Sequence, residues 1–355
     1  MRRKSNRQRV NRLFVLGAGA SMSSSLTRSG TKERHAPLDS QFCERIKEVE
    51  AHRPGWVNGA RDFVLKEWKD HIPFESLALE DAIIRQMGHM EFIDAIHPNK
   101  KKKSVTKEAY LNNLSHLICY VLRKTKESNH RYYGRLIDHY FAGAFDGITN
   151  RIITFNYDDM VDRHLLKTHN PGEIYFDRIK GRRDARRKRD VVCEHPLLIK
   201  LHGSVNWRCR TEDFETIVQG NHDSKNKQKI EVVWQSSTGT PAPDDDASPL
   251  IIPPLPQKPI TQVSLFQYLW TKAYEYLHEA HEIVICGYSL PQTDNLAQSL
   301  FANFSNQNLH TVTVIDPNPG IMKRWRDLFR RKNVPAGTRW RYFEDFGEYI
   351  DAVGA

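Results

Sequence analysis

The stretch Arg12-Leu13-Phe14-Val15-Leu16-Gly17-Ala18-Gly19-Ala20-Ser21 constrains this chain more than any other. Four consecutive apolar residues ending on glycine read as a short strand buried on both faces, as in a parallel sheet. Gly17 and Gly19 allow a sharp turn and let the backbone approach a ligand with no Cβ between. A helix starting there points its free N–H groups and positive dipole end at the turn, which makes a seat for a pyrophosphate. The dinucleotide fingerprint wants a third glycine where Met22 stands. Asp39 lies at the distance of a dehydrogenase's ribose carboxylate, but no second strand precedes it, and it reads as a helix N-cap. The turn therefore belongs to a nucleotide-binding α/β protein other than an ordinary dehydrogenase.

After the turn, no strand is expected until residue 151. Phe42/Ile46/Val49, Leu79/Ile83/Met87, Leu111/Leu114/Ile118/Val121 and Tyr133/Leu136/Ile137/Tyr140 repeat at helical spacing. They predict a helical insertion over about residues 23–150, packed over the ligand edge of the sheet. Short apolar runs then alternate with helices: Ile152–Phe155, Leu197–Leu201, Ile283–Cys286, Thr311–Ile315 and Trp340–Phe343 read as strands. The expected fold is α/β, a Rossmann-like doubly wound, mainly parallel sheet with a helical insertion after the first strand. Residues 1–11 read as a basic tail and 12–355 as one domain. Gly220 to Pro243, extended by Asp244–Asp246, reads as an exposed loop.

Lysine and arginine number 53 against 43 acidic residues, a net charge of +10. The excess sits in the first dozen residues, Lys100–Lys103 and Lys180–Arg189. A polyanion surface is one use for such runs. No aromatics interleave with them, so solvated loops are the simpler account. The five cysteines (Cys43, Cys119, Cys193, Cys209, Cys286) form no CxxC pair, which fits a reducing compartment. Cys193, His195, His202 and Cys209 are spaced too irregularly for zinc, and no metal site is expected. No run is long enough to span a membrane and no signal-peptide core follows the basic start, so the expected location is cytoplasmic.

In an open parallel sheet, ligands bind beyond the carboxyl ends of the strands. Those ends read Gly17-Ala18-Gly19-Ala20-Ser21, Phe155-Asn156-Tyr157-Asp158, His202-Gly203-Ser204-Val205-Asn206-Trp207, Gly287-Tyr288-Ser289-Leu290-Pro291 and Asp316-Pro317-Asn318. Each places small or polar residues where a buried strand would otherwise continue apolar. Together, with Thr293-Asp294 after the fourth, they resemble the sirtuin-like NAD-binding domains of bacterial anti-phage defence, in order from about residue 12 to 318. Protein-deacylating sirtuins share the glycine turn, an Asn-x-Asp and a catalytic His-Gly, but also carry two CxxC pairs, and they have Gln where Phe155 stands.

What the resemblance implies is cleavage of NAD to nicotinamide and ADP-ribose, or a cyclic form, with NAD as substrate and no metal. His202 is then the general base, and imidazole chemistry suits the role; its plainer reading is a strand-end histidine bonded to backbone. Asn156 would orient water or ribose hydroxyls, or else form an Asx turn. Asp158 would accept from the nicotinamide amide, or cap a helix. Gly17, Ala18, Gly19, Ala20, Ser21, Gly203 and Ser204 would surround phosphates or the adjoining ribose. Gly287, Tyr288 and Ser289 would line the adenosine half, and Asp316 would take the adenosine ribose hydroxyls or cap before Pro317. Asp294 reads as the cap of the next helix. The resemblance also implies a homo-oligomer and a partner such as a HerA-like ring ATPase or an Argonaute-type protein. The alternatives are a non-catalytic NAD- or ADP-ribose-sensing assembly subunit and, less favoured, a protein deacylase.

Overall fold

The fold is seen in a computed structural model that describes residues 10–25, 35–49, 55–69, 77–97, 106–143, 148–175, 179–181, 195–219, 232–234, 247–253, 263–292, 294–330 and 334–355. Its elements run β1 (Val10–Leu16), α1 (Ala18–Ser25), α2 (Asp39–Lys47), α3 (Gly55–Lys69), α4 (Leu79–Ile96), α5 (Lys107–Arg123), α6 (Tyr132–Tyr140), β2 (Ile148–Thr154), α7 (Met160–Leu165), α8 (Pro171–Ile174), β3 (Ile179–Gly181) and β4 (Leu198–Lys200). There follow β5 (Gly203–Arg210), α9 (Thr211–Gln219), β6 (Val232–Trp234), β7 (Ala247–Ile251), α10 (Ser264–Glu279), β8 (Glu282–Cys286), α11 (Asn295–Asn303), β9 (Thr311–Ile315), α12 (Pro319–Arg330), β10 (Arg339–Phe343) and α13 (Phe346–Val353).

The main sheet has the order β10-β9-β8-β1-β2-β4, and its pairings are parallel. This is the expected Rossmann-like α/β architecture, with helices α2 to α6 inserted between β1 and β2. β1 lies in the middle, with Phe14 in register with Ile152 on one side and Val284 on the other. Leu13 to Leu16 are buried, as a strand covered on both faces requires. β10, at the edge, alternates instead between exposed and covered residues. From β1 the chain steps outward one way through β2 and β4. From β8 it steps the other way through β9 and β10. The reversal falls between β1 and β8, and the crevice above such a reversal is where doubly wound sheets hold ligands.

Within the insertion, the second half of α5 is buried on all sides: every residue from Leu114 to Leu122 is buried, as a helix inside a core requires. Its start is capped by Thr106, whose hydroxyl accepts from the Ala109 amide at 3.2 Å. It packs against α3 and against β5 and β7.

Four expectations need correction. β2 starts at Ile148 rather than 151. β1 takes in Val10 and Asn11, assigned above to the tail. Asp39 is the first residue of α2 rather than its cap, and its carboxylate accepts from the Glu80 amide at the start of α4 (3.2 Å). A second sheet, ordered β3-β6-β5-β7, was not foreseen; β6 lies inside the stretch read as a loop. Most of that stretch, residues 1–9, Lys100–Lys103, Cys193 and Thr293 lie outside the described residues.

Candidate active site

Two glycine turns interlock at the reversal. Gly17 N donates to Cys286 O and Gly19 N to Gly287 O, each at 3.0 Å. Gly287 takes the left-handed backbone (φ 58°), and a Cβ there would meet Ala20 N at 2.1 Å. The first turn of α1 and the turn after β8 can approach this closely only as glycine. The contact narrows the seat expected for a pyrophosphate. Gly19 N is engaged by Gly287, and Ala20 N donates to Gly17 O at 3.0 Å. Ala18, Gly19 and Gly287 remain half-buried at the rim, Ala20 is buried, and Ser289 is exposed.

Asn156 follows β2 at the same edge. Its Nδ2 donates to Gly17 O at 2.8 Å and to Ser21 Oγ at 2.9 Å. A backbone carbonyl can only accept, so the amide orientation is fixed. Both amide protons are used within the protein, which leaves the carbonyl oxygen as the atom that can serve a ligand. The Ser21 hydroxyl donates to Asp158 Oδ2 at 2.7 Å, so the Tyr133 hydroxyl, 3.0 Å away, is the donor in their contact. Asp158 Oδ1 accepts from Met160 N at 3.1 Å. Asp158 is buried, and that burial raises its carboxyl above the ordinary range, partly offset by the Lys200 charge and the two hydrogen bonds. Both its oxygens are thus engaged by the chain, and it is Asp159 that occupies the cap position of α7.

Beneath lies a network that the sequence reading missed. Lys200 Nζ pairs with Asp162 Oδ2 at 3.0 Å, both side chains 1% exposed, and also donates to Asp158 O. Tyr175 donates to Asp162 Oδ1, and Asn206 Nδ2 reaches both Asp162 (3.3 Å) and Tyr175 (3.2 Å). One signal was available: Lys200 is a lone charge inside an apolar strand, and a buried lysine needs a carboxylate.

His202 ends the turn after β4 and is 8% exposed. Its Nε2 lies 3.5 Å from Asp294 Oδ2. Phe155, Tyr157 and Trp270 face the ring at centroid distances of 5.5, 6.1 and 6.3 Å. The two residues flanking Asn156 therefore form part of the histidine's wall. Phe155 also stacks on Tyr288 (4.0 Å, 5° between planes), and the Tyr288 hydroxyl lies 3.5 Å from Asp294 Oδ2. Asp294 does cap α11, its Oδ1 accepting from Ala297 N at 3.2 Å, but its other oxygen faces the histidine, a role the sequence did not signal. Gly203 holds φ 79°, and a Cβ there would strike Leu250 O at 2.1 Å. Ser204 is buried, its hydroxyl 3.4 Å from Tyr157 O.

On the β9 side, Asp316 Oδ1 accepts from Asn318 N at 2.9 Å, and burial raises its carboxyl, offset by that bond and by Arg324. Arg324 also donates to Ser289 O at 2.8 Å, and the adjoining Leu290 holds a left-handed backbone (φ 54°). A cleft lined by Arg12, Thr149, Arg151, His195, Tyr276 and Glu279 lies at the amino ends of the strands, the wrong end for a ligand in this architecture. Among the described residues no three His, Cys, Asp or Glu side chains converge as metal ligands, and no helix is long and apolar enough to cross a membrane.

No family model matches the chain, and no curated protein matches it. Among solved structures it is similar to a sirtuin studied for substrate affinity, at 12% identity and a TM-score of 0.38, with 100% of both chains covered. It is also similar to a Sir2 enzyme studied for mechanism and regulation, at 10% identity and a TM-score of 0.36, covering 98% of this chain and 91% of that one. Likeness at this level carries no weight for the site, whose reading rests on its own contacts.

Proposed function

We propose that this chain is an NAD glycohydrolase, acting in anti-phage defence and held inactive until a partner or trigger engages it. The observation that carries the reading is the meeting of the Gly17–Ser21 turn, the Gly287 turn and Asn156 at the strand-order reversal, beside a His202–Asp294 pair. The dinucleotide lies across the reversal, with its adenosine toward Gly287, Ser289 and Asp316. Its nicotinamide ribose lies toward Asn156.

The glycosidic bond at C1′ breaks, and nicotinamide leaves with the electron pair as the neutral base. A water oxygen bonds to C1′, giving ADP-ribose, and the water's proton passes to His202. In the cyclic variant, a ring nitrogen of the adenine takes the place of water. Asn156 Oδ1 accepts from the water or a ribose hydroxyl and holds it in line. Asp294 orients the imidazole and stabilises the imidazolium formed when His202 takes the proton. Asp158 works through Ser21, which supports Asn156; it is a positioning residue. The chain would assemble as a homo-oligomer and work with a ring ATPase or Argonaute-type partner.

A second reading, a non-catalytic NAD- or ADP-ribose-sensing subunit, is favoured by the burial of His202 behind Phe155, Tyr157 and Trp270. Purified chain, alone and with the product of each neighbouring gene, is incubated with NAD while nicotinamide release is followed. Release that falls at least about 10²-fold in Asn156→Ala and in His202→Ala is expected. NAD binding without release under every condition would establish the sensing reading instead.

A further inference from the structure

We propose that the junction of α5, α7 and β5 is a binding site for a phosphate-type anion, separate from the strand-order reversal. Three arginines converge there: Arg123 at the end of α5, Arg163 on α7 and Arg208 on β5. Arg208 Nη2 lies 3.5 Å from Cys119 Sγ, one helical turn before Arg123. Arg163 Nη1 donates to Thr125 O at 3.1 Å, two residues beyond Arg123. The Arg123 guanidinium feels the charges of Arg208, Arg163 and Asp159.

Their donors are left unanswered. Nε, Nη1 and Nη2 of Arg123, Nε and Nη1 of Arg208 and Nε of Arg163 are buried with no hydrogen-bond partner among the described residues. Both ring nitrogens of His116, on the same helix, are also buried without a partner among the described residues; in the neutral ring one is a donor and the other an acceptor. Buried polar groups in folded proteins are almost always bonded, and a buried charge without an acceptor is costly. Six arginine nitrogens outnumber the acceptors that are likewise without a hydrogen bond there, Asp159 Oδ1 and one nitrogen of His116, and an anion from outside the chain would answer the excess.

Charge sets its class. Three guanidinium groups face one carboxylate, Asp159, whose Oδ1 lies 2.5 Å from Arg163 Nη2. Burial pushes His116 down to about 3, with Arg208 adding to the effect, so its ring is neutral and contributes no further cation. Two positive charges remain uncompensated, which a phosphate dianion matches and a single carboxylate does not. The guanidinium fork also suits two oxygens of one phosphate. Burial is graded: the Arg163 side chain is 30% exposed, while Arg208 is 2% exposed. The anion would enter past Arg163 and end against Arg208. Neighbouring carboxylates divide the two sites, Asp158 turning to Ser21 and Asp159 to Arg163.

The test is calorimetric titration of the full chain with inorganic pyrophosphate and with orthophosphate, at ionic strength held constant with chloride. Saturable binding is expected, weakened at least about 10-fold in Arg123→Gln and in Arg163→Gln and unchanged in Asn156→Ala. Should Arg123→Gln fail to fold, Arg163→Gln, at the more exposed position, carries the comparison alone. Absence of saturable binding by the unaltered chain overturns the proposal. So does binding that is lost in Asn156→Ala and kept in the arginine variants, because the anion then belongs to the reversal. NAD affinity is expected to be the same in Arg163→Gln as in the unaltered chain. Its loss there would make the cluster the seat of the dinucleotide's own phosphates and likewise overturn a separate site. None of these readouts needs NAD to be cleaved, so the proposal can fail or stand independently of the glycohydrolase reading.

Discussion

Two polar clusters flank the 155–159 loop, and they are built on opposite principles. On one side, the side-chain hydrogen-bonding atoms of Ser21, Tyr133, Asp158, Lys200, Asp162 and Tyr175 answer one another, and only Asn206 Oδ1 at the margin lacks a partner among the described residues. On the other, Arg123, Arg208 and His116 bury donors that nothing among the described residues accepts. A closed network fixes geometry, and here it holds Asn156 against the glycine turn. An open one is stable only with something added. The contrast separates a scaffold from a receptor within a few residues of the same loop.

The substitution that tests this contrast hardest is Lys200→Met. It leaves Asp162 as an unpaired charge in a place 1% exposed. Breaking a buried pair from one side costs about 3–5 kcal/mol, and urea unfolding should show a loss of that size. A double variant with Asp162→Leu should recover part of it. A loss below about 1 kcal/mol for Lys200→Met would mean that the network is not closed in the folded protein.

How much of this was visible beforehand follows from what each segment buries. Strands such as Phe14–Leu16 and Ile283–Cys286 are covered on both faces and read as unbroken apolar runs, and Thr311–Ile315 reads as a β-branched one, so the main sheet was legible. β5 was not. It carries Asn206, Arg208 and Arg210 at alternate positions, the pattern of a wet face, yet Asn206 and Arg208 are buried against partners from α5, α7 and Tyr175. β6 spans three residues, too few for any periodicity. At the site, the strand-end residues Ser21, Asn156 and Asp158 could be read because small polar groups interrupt apolar strands there. Asp294 was read for one oxygen only: capping is a local event, whereas its contact with His202 joins positions distant in the chain. Nothing in the sequence sets Arg123 apart from an ordinary charge in the last turn of a helix, which it would be if that turn faced water.

Beside the histidine, the Tyr288 hydroxyl lies 3.5 Å from Asp294 Oδ2, and a smaller effect is expected from Asp294→Asn. The asparagine can still cap α11 through its oxygen, so the fold should be kept. It cannot stabilise an imidazolium. Nicotinamide release should fall by about 10²-fold, equivalent to about 2.7 kcal/mol, with a changed pH profile and little change in NAD affinity. A loss of affinity with an unaltered pH profile would reduce Asp294 to a cap.

The receptor side predicts the reverse of Lys200→Met. In phosphate-free buffer, Arg208→Met removes an unanswered buried charge and keeps most of the volume, so stability should change by less than about 1 kcal/mol or rise. A loss comparable to that of Lys200→Met would show that Arg208 is satisfied after all and that the two clusters do not differ.

The least effect, and the finest distinction, lies in the pH dependence of Asp158. Burial raises its carboxyl above the ordinary 3.8, and the Lys200 charge, Ser21 and Met160 N only partly oppose that. The folded protein therefore keeps this proton to higher pH than the unfolded chain does. Folding takes up a proton between the two values, so this group's contribution is most favourable below 3.8 and declines as pH rises through the folded value. In Asp158→Asn the slope disappears, while the amide oxygen can still accept from Ser21 or Met160 N. Stability measured by urea titration, unaltered chain minus variant, should be flat below 3.8 and then fall with rising pH. A difference that rises instead would mean that the Lys200 charge outweighs burial and holds Asp158 as an ion. The closed cluster would then be an ion network rather than a chain of hydrogen bonds, and its contrast with the arginine cluster would rest on charge balance alone.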